Sequence, residues 1–151
     1  MHTIHDATVA VLNDLEFNFW RDDADDTLTV PFSGINPLDT GPVLVHIVPY
    51  EEKNAVLIVS NICQVQEKRR ADVALLLGRL NTHYFGITFA IDSEGIVAIE
   101  VVATFCAVTD PEHVIAGRFR HLFKAVKATI EEIYETAGII AVQPKQLWMK
   151  S

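Results

Sequence analysis

The spacing of apolar residues along the chain changes between a helical period and a β period. Ile4, Val11, Leu12 and Leu15 fall on one helical face, which predicts a short helix from Thr3 to Leu15. Runs rich in β-branched and aromatic residues and two further helical stripes follow. The elements predicted after the first helix are strands at 17–21, 28–32, 43–50 and 55–62, a helix at 66–81, strands at 87–91 and 96–106, and a helix at 110–137.

The order of these elements is α-β-β-β-β-α-β-β-α. Helices separated by blocks of hairpin strands favour an α+β fold in which three helices pack against an antiparallel sheet. We expect a single domain over residues 1–138, followed by a C-terminal tail over 139–151 that contains Pro144 and ends near Trp148. The tail is expected to be loosely ordered or docked on a partner surface.

Three strands depart from the alternation that a sheet covered on one face should show. In Val43–Val48 the only polar residue is His46, and in Ile96–Ala103 it is Glu100, while Ala55–Val59 has none. The helices of so short a chain can cover one face, which leaves the second face to meet another subunit or a client protein. The alternatives are that helices cover both faces or that the sheet curls on itself.

This second face supplies the candidate partner-binding residues. Trp20 is one, because it shares a strand face with Asn18 rather than with its aromatic neighbours. Leu44, Val48 and Leu57 are the others, because they lie on strands that are apolar on both faces and large apolar groups supply most binding energy in a desolvated interface. The excess of apolar strand residues predicts a homodimer.

The last predicted helix has an apolar seam along its whole length, so we expect it to lie on the sheet as core. Its other face carries charged residues, among them a Lys127–Glu131 pair spaced for an i,i+4 ion pair. This charged face is expected to be solvated rather than to bind a partner. Its members are Arg118, Lys124, Lys127, Glu131 and Glu135.

The charge balance bears on the choice of partner. The net charge is −8, from 20 acidic and 12 basic residues, which disfavours nucleic-acid binding because such binding needs clustered cations. The one dense basic cluster, Lys68–Arg70, is flanked by Glu67 and Asp72 and is expected to be a solvated helix start. No apolar run approaches the ~20 residues of a membrane span, and no signal-peptide pattern is present, so a cytoplasmic protein is expected.

Candidate chemistry is sparse. The sequence contains no His-Glu-x-x-His and no Cys-x-x-Cys motif, and it predicts no metal, no cofactor and no catalytic residue. Cys63 and Cys106 each end an apolar run and are expected to be buried, reduced thiols. The acidic segment Asp22–Asp26 lacks the glycine and glutamate of a calcium loop and is expected to be a solvated hairpin turn.

The segment from the second helix to the last strand resembles the YbjN family. The resemblance is carried by Leu80-Asn81, by Phe85-Gly86 and by the run Phe89–Val97, and the order of elements over almost the whole chain is also similar. It implies the fold of bacterial type III secretion chaperones, which commonly dimerise, and a chaperone-like or adaptor-like role in protein binding. Members are described as regulators of sensory or stress pathways, and no catalytic residues are carried over.

Within this motif, Asn81 is expected to cap the second helix, and Asp92 and Gly95 to form the turn between two strands.

Two functions remain open at this stage, together with a structural role in a larger assembly. The leading interpretation is a non-catalytic, dimeric protein-binding module that acts as a chaperone or regulatory adaptor for an unidentified client. The alternative is a small-molecule-binding or enzymatic domain with a pocket between helix and sheet, for which His46, His83 and Tyr84 are the candidate polar residues.

Overall fold

The structure is a computed structural model that describes residues 4–37, 41–50, 55–104 and 110–140. Thr3, Cys106 and most of the predicted tail, residues 141–151, lie outside the described residues. The elements are α1 (Ile4–Asp14), β1 (Trp20–Arg21), β2 (Leu28–Phe32), β3 (Val43–Tyr50), β4 (Ala55–Gln64), a 3₁₀ turn (Glu67–Arg69), α2 (Arg70–His83), β5 (Thr88–Ile91), β6 (Ile96–Thr104) and α3 (Pro111–Thr136).

The strands of the described chain form one antiparallel sheet in the order β1-β2-β3-β4-β6-β5. The α+β fold and the element order predicted from the sequence are therefore confirmed. Because cross-strand partners in such a sheet point to the same side, the register defines two faces. We call the side that carries Ile47, Ile58 and Val101, which are successive partners, the inner face, and the opposite side the outer face.

The core lies between the inner face and the helices. Leu12 of α1, Leu76 of α2 and Phe119 of α3 pack in one buried cluster with inner-face residues such as Val45 and Ile99. The apolar seam of α3 is buried along its length, as predicted. Asp110 caps the start of the helix, because its side-chain carboxylate accepts a hydrogen bond from the backbone N–H of Glu112.

The connection between α1 and the sheet differs from the prediction. β1 is limited to Trp20 and Arg21, whereas the sequence indicated a strand from residue 17. Glu16 adopts a left-handed backbone with φ of 59° just after α1, so the chain turns sharply there. Phe17 consequently leaves the sheet and packs its ring 5.3 Å from that of Phe119 in the core.

The charged face of α3 also differs. Glu135 was expected at the surface but is only 9% exposed, and one of its carboxylate oxygens has no hydrogen-bond partner. Lys127 and Glu131 form no ion pair, and Glu132 instead lies 3.6 Å from Arg79 of α2. The prediction was wrong for Glu135 because α3 packs against neighbours on a wider arc than its apolar seam indicates.

Arg70, the first residue of α2, is hydrogen-bonded to the β5–β6 turn. Its guanidinium donates hydrogen bonds to the carbonyl oxygens of Val65, Ser93 and Glu94, at 3.1, 3.0 and 2.9 Å. The prediction of a solvated helix start was therefore wrong for this residue, because three backbone acceptors converge on it. The predicted turn is present, and Gly95 at its end adopts a φ of +84°, which favours glycine.

Asn81 holds α2 against β5 instead of capping the helix. Its side-chain oxygen accepts from the Phe89 N–H at 2.7 Å, and its side-chain nitrogen donates to the Phe89 carbonyl at 2.9 Å. α2 continues two residues further, to His83. The amide of Asn81 therefore replaces a neighbouring strand for one residue at the edge of the sheet.

Truncating the α3 seam should destabilise the protein. Leu122→Ala should lower the free energy of unfolding by ~2–5 kcal/mol, because the side chain is 1% exposed and its removal leaves a cavity. Lys127→Ala on the exposed side should change it by less than ~0.5 kcal/mol. Urea unfolding followed by circular dichroism measures both, and equal effects would contradict the assignment of core and surface.

Asn81→Ala should lower the free energy of unfolding by about 1–2 kcal/mol, because it leaves the Phe89 amide without partners. Thr82→Ala is the matched control, since the Thr82 hydroxyl bonds only to the Arg79 carbonyl within α2. Urea unfolding should show a clearly larger loss for Asn81. A loss confined to Thr82 would mean that the α2–β5 contact does not depend on the amide.

Candidate functional site

The outer face is an apolar surface that the described helices leave uncovered. The buried side chains of α2 and α3 pack with inner-face residues. Of the outer-face side chains that the structure describes on the six strands, only Thr29 is buried. The described part of the chain therefore supplies no helical cover over β3, which agrees with the surplus of apolar residues seen in the sequence. Outer-face apolar side chains that are half-buried or exposed include Trp20, Pro31, Leu44, Val48, Ala90, Ile96, Ala98 and Val102.

The four predicted contact residues all lie on this face. Trp20 is 51% exposed and pairs across the edge with Thr29. Leu44 and Val48 are half-buried on β3. The backbone of Leu57 is the cross-strand partner of Val48, which places it on the same face. The structure thus brings the four residues onto one surface, although they come from three strands.

One row of cross-strand neighbours on the outer face contains three polar residues, Thr29, His46 and Glu100, and we call it the polar row. Successive cross-strand partners place Trp20, Thr29, His46, Val59 and Glu100 in one line. The Thr29 hydroxyl and Nδ1 of His46 are 3.0 Å apart and share a hydrogen bond. His46 is therefore a strand histidine that is hydrogen-bonded to its cross-strand neighbour.

Val102 is an outer-face residue that sequence reasoning missed. It is 50% exposed and lies on the row of Val48 and Leu57. It was overlooked because β6 is apolar on both faces except at Glu100, and that one polar residue was not used to choose between the faces. Residues two positions apart on a strand share a face, so Glu100 was the available signal that placed Val102 on the more polar side.

An aromatic groove of about 400 Å³ lies where α1 ends, β2 ends and α3 passes. Phe32 and Phe119, whose rings are 5.2 Å apart, form its buried floor. Phe17 and Phe123 are half-buried beside them. Sequence reasoning missed this groove because its aromatic residues come from three separated segments: the chain after α1, the end of β2, and α3. The residues that line it are Leu15, Phe17, Pro31, Phe32, Ser33, Phe119, Arg120 and Phe123.

A second cavity of about 300 Å³ lies at the start of β5. Phe85, which is 95% exposed, stands at its edge, and Glu100 is half-buried in its lining. Arg118 and His121 bring α3 side chains to this end of the sheet. The cavity combines both signs of charge with exposed apolar surface, which is a lining typical of a contact surface.

The residues proposed for a small-molecule pocket do not converge. His46 lies on β3, whereas His83 and Tyr84 end α2, with their rings 5.3 Å apart. None of the three lines either cavity. Among the described residues, no three His, Cys, Asp or Glu side chains gather in a geometry that could hold a metal ion. No described helix is long and apolar enough to cross a membrane.

Several solved structures share this fold. One chain of the ExsC–ExsE complex matches with a TM-score of 0.63 and 12% identity, over 86% of this chain and 92% of that one. YbjN from E. coli, described as a candidate transcription regulator, matches with a TM-score of 0.62 and 14% identity, over 85% of this chain and 92% of that one. A chain of the heterodimeric ExoU–SpcU complex comes from the type III secretion system of Pseudomonas aeruginosa. It matches with a TM-score of 0.54 and 13% identity, over 84% of this chain and 94% of that one.

No family model and no curated protein matches the sequence. The structural matches confirm, at the level of fold, the resemblance to YbjN and to type III secretion chaperones that the sequence indicated.

Cys63 should react slowly with thiol reagents, because burial raises its pKa to about 11. In a Cys106→Ser variant, the rate of modification by Ellman's reagent should keep rising towards pH 11. The same variant in denaturant should titrate near pH ~8.5. The folded thiol holds its proton to higher pH, so the free energy of unfolding should fall as pH rises between these values. A rate that levels off near pH ~8.5 in the folded protein would contradict the burial.

Proposed function

We propose that this chain is a non-catalytic protein-binding module, chaperone-like or regulatory, which acts as a homodimer in the cytoplasm. The observation that carries the proposal is the apolar outer face. A monomer that leaves Trp20 and Val102 half exposed, among other apolar side chains, presents a surface of the kind that meets another protein.

The fold supports a role in protein binding. Two of the similar structures are complexes of two different proteins, ExsC with ExsE and ExoU with SpcU. Binding of a partner protein is therefore compatible with this arrangement of helices and sheet. The lack of a converging set of catalytic side chains in the two cavities fits the same interpretation.

The polar row gives the outer face a means of specificity. Apolar positions such as Leu44, Val48 and Leu57 would contribute binding free energy through desolvation. His46 and Glu100 would have to find partners when water is excluded, because a buried polar group without one is costly. In the proposed dimer they therefore favour one alignment of the two sheets over others. Trp20, at the edge of the face, would close the interface against solvent.

Val48→Asp should weaken the dimer about tenfold or more, because it places a charge in the apolar part of the outer face. Sedimentation equilibrium at micromolar concentration should give about twice the monomer mass for the unmodified protein and a mass nearer the monomer for the variant. Circular dichroism should show that the fold is retained.

Leu75→Asp is the matched control. Leu75 is 73% exposed on α2, away from the sheet. The proposal expects this variant to remain dimeric. A monomeric unmodified protein, or a dimer that is lost in Leu75→Asp and kept in Val48→Asp, would overturn the proposed use of the outer face.

A further inference from the structure

An unpaired basic row runs along α3 of this acidic protein. Between Glu112 and Glu131 the sequence contains cations but no acidic residue. Arg120, Lys124 and Lys127 are spaced i, i+4 and i+7, so they form a row on one side of the helix. All three are exposed, and none makes an ion pair with a described residue.

This basic row adjoins the aromatic groove. Arg120 belongs to the groove lining, together with the ring of Phe123. Lys124 follows one turn further along the helix and continues the positive charge away from the groove. The expected Lys127–Glu131 ion pair, which would have neutralised the far end of the row, does not form among the described residues. The ion pair on this part of α3 joins Glu132 to Arg79 instead. An apolar depression and a row of cations that have no ion-pair partner within the described ranges thus adjoin each other on this side of the protein.

The aromatic groove and the basic row together favour a ligand that carries both an apolar group and negative charge. The groove offers four aromatic rings, with Phe32 and Phe123 at 4.9 Å, and 44% exposed Leu15 at its rim. A large apolar side chain would bury these surfaces, whereas the cations would be left desolvated by a purely apolar ligand. Carboxylates next to the apolar group would meet the cations in charge-assisted hydrogen bonds.

We propose that the groove and the basic row form a binding site for a segment of a partner protein in which a large apolar residue adjoins a run of Asp or Glu. This inference rests on the proposed protein-binding function and adds the chemistry of the partner. It replaces, for Lys124 and Lys127, the expectation from the sequence that the charged face of α3 binds no partner. The row extends about 10 Å from Arg120 to Lys127 at ~1.5 Å per residue. A continuous peptide can span the groove and this row, whereas a small carboxylic acid held in the groove would leave Lys124 and Lys127 unused.

Fluorescence anisotropy with synthetic peptides tests the site. The probe is a short fluorescein-labelled peptide with one Phe followed by a run of Glu, and the comparison peptides replace the Glu by Gln or the Phe by Ala. The probe should bind more tightly than either. Arg120→Gln combined with Lys124→Gln should weaken its binding about tenfold at low salt, and Leu15→Ser should weaken it as well.

Lys68→Gln is the control variant, because Lys68 is exposed and lies before α2, outside the basic row. It should change binding less than about twofold. Equal binding of the Glu and Gln peptides, failure of the probe to bind, or unchanged binding by the Arg120→Gln, Lys124→Gln variant would overturn the proposal. Tighter binding of the row to anionic vesicles or an oligonucleotide than to the probe would also overturn it.

Sedimentation of the same variants separates this site from the outer face. Arg120→Gln with Lys124→Gln should leave the dimer mass unchanged, and Val48→Asp should leave peptide binding unchanged. If the basic-row variant instead lost the dimer, the groove would be occupied by a second copy and the inferred partner would be wrong. If only the dimer prediction failed, the anisotropy measurement would still test the peptide-binding site independently.

Discussion

The structure depends on one constraint: the helices pack on a single face of a sheet whose central strands are apolar on both faces. The inner face meets residues such as Leu76 and Phe119 and is closed from solvent. The same strands place Leu44 and Val48 on the outer face, where no comparable cover exists in the described chain. Burial of apolar area drives association as well as folding, so the proposed contact with another protein would bury the outer side of strands that are apolar on both faces.

The edges of the fold are held by specific polar contacts. Arg70 ties the β5–β6 turn to the chain before α2, and Asn81 completes the hydrogen bonding of β5 where no further strand follows. Within the sheet, polar side chains form the Thr29–His46 pair on the outer face and a bond from the buried Ser60 hydroxyl to the Leu44 carbonyl oxygen. Among the described residues, the surfaces that offer a place for binding include the outer face, the cavity at the start of β5, and the α3 flank with its aromatic groove.

Most of the fold could be predicted from the sequence, because periodicity and turn residues are local signals. The α3 seam and the Asp92–Gly95 turn are examples. The outer face was foreseen as a surplus of apolar residues, and Trp20 was placed on it from alternation alone. What could not be predicted depends on contacts between distant segments: the burial of Glu135, the role of Asn81, and the meeting of Phe17 with Phe119.

The accessibility of Trp20 to a neutral quencher tests the central claim most directly. The sequence has 2 tryptophans, so a Trp148→Phe variant reports on Trp20 alone. If the outer face is the contact surface, acrylamide should quench Trp20 readily in dilute protein and less as the concentration rises through dimer formation. Quenching that stays constant while the sedimenting mass doubles would place the contact elsewhere and contradict the account.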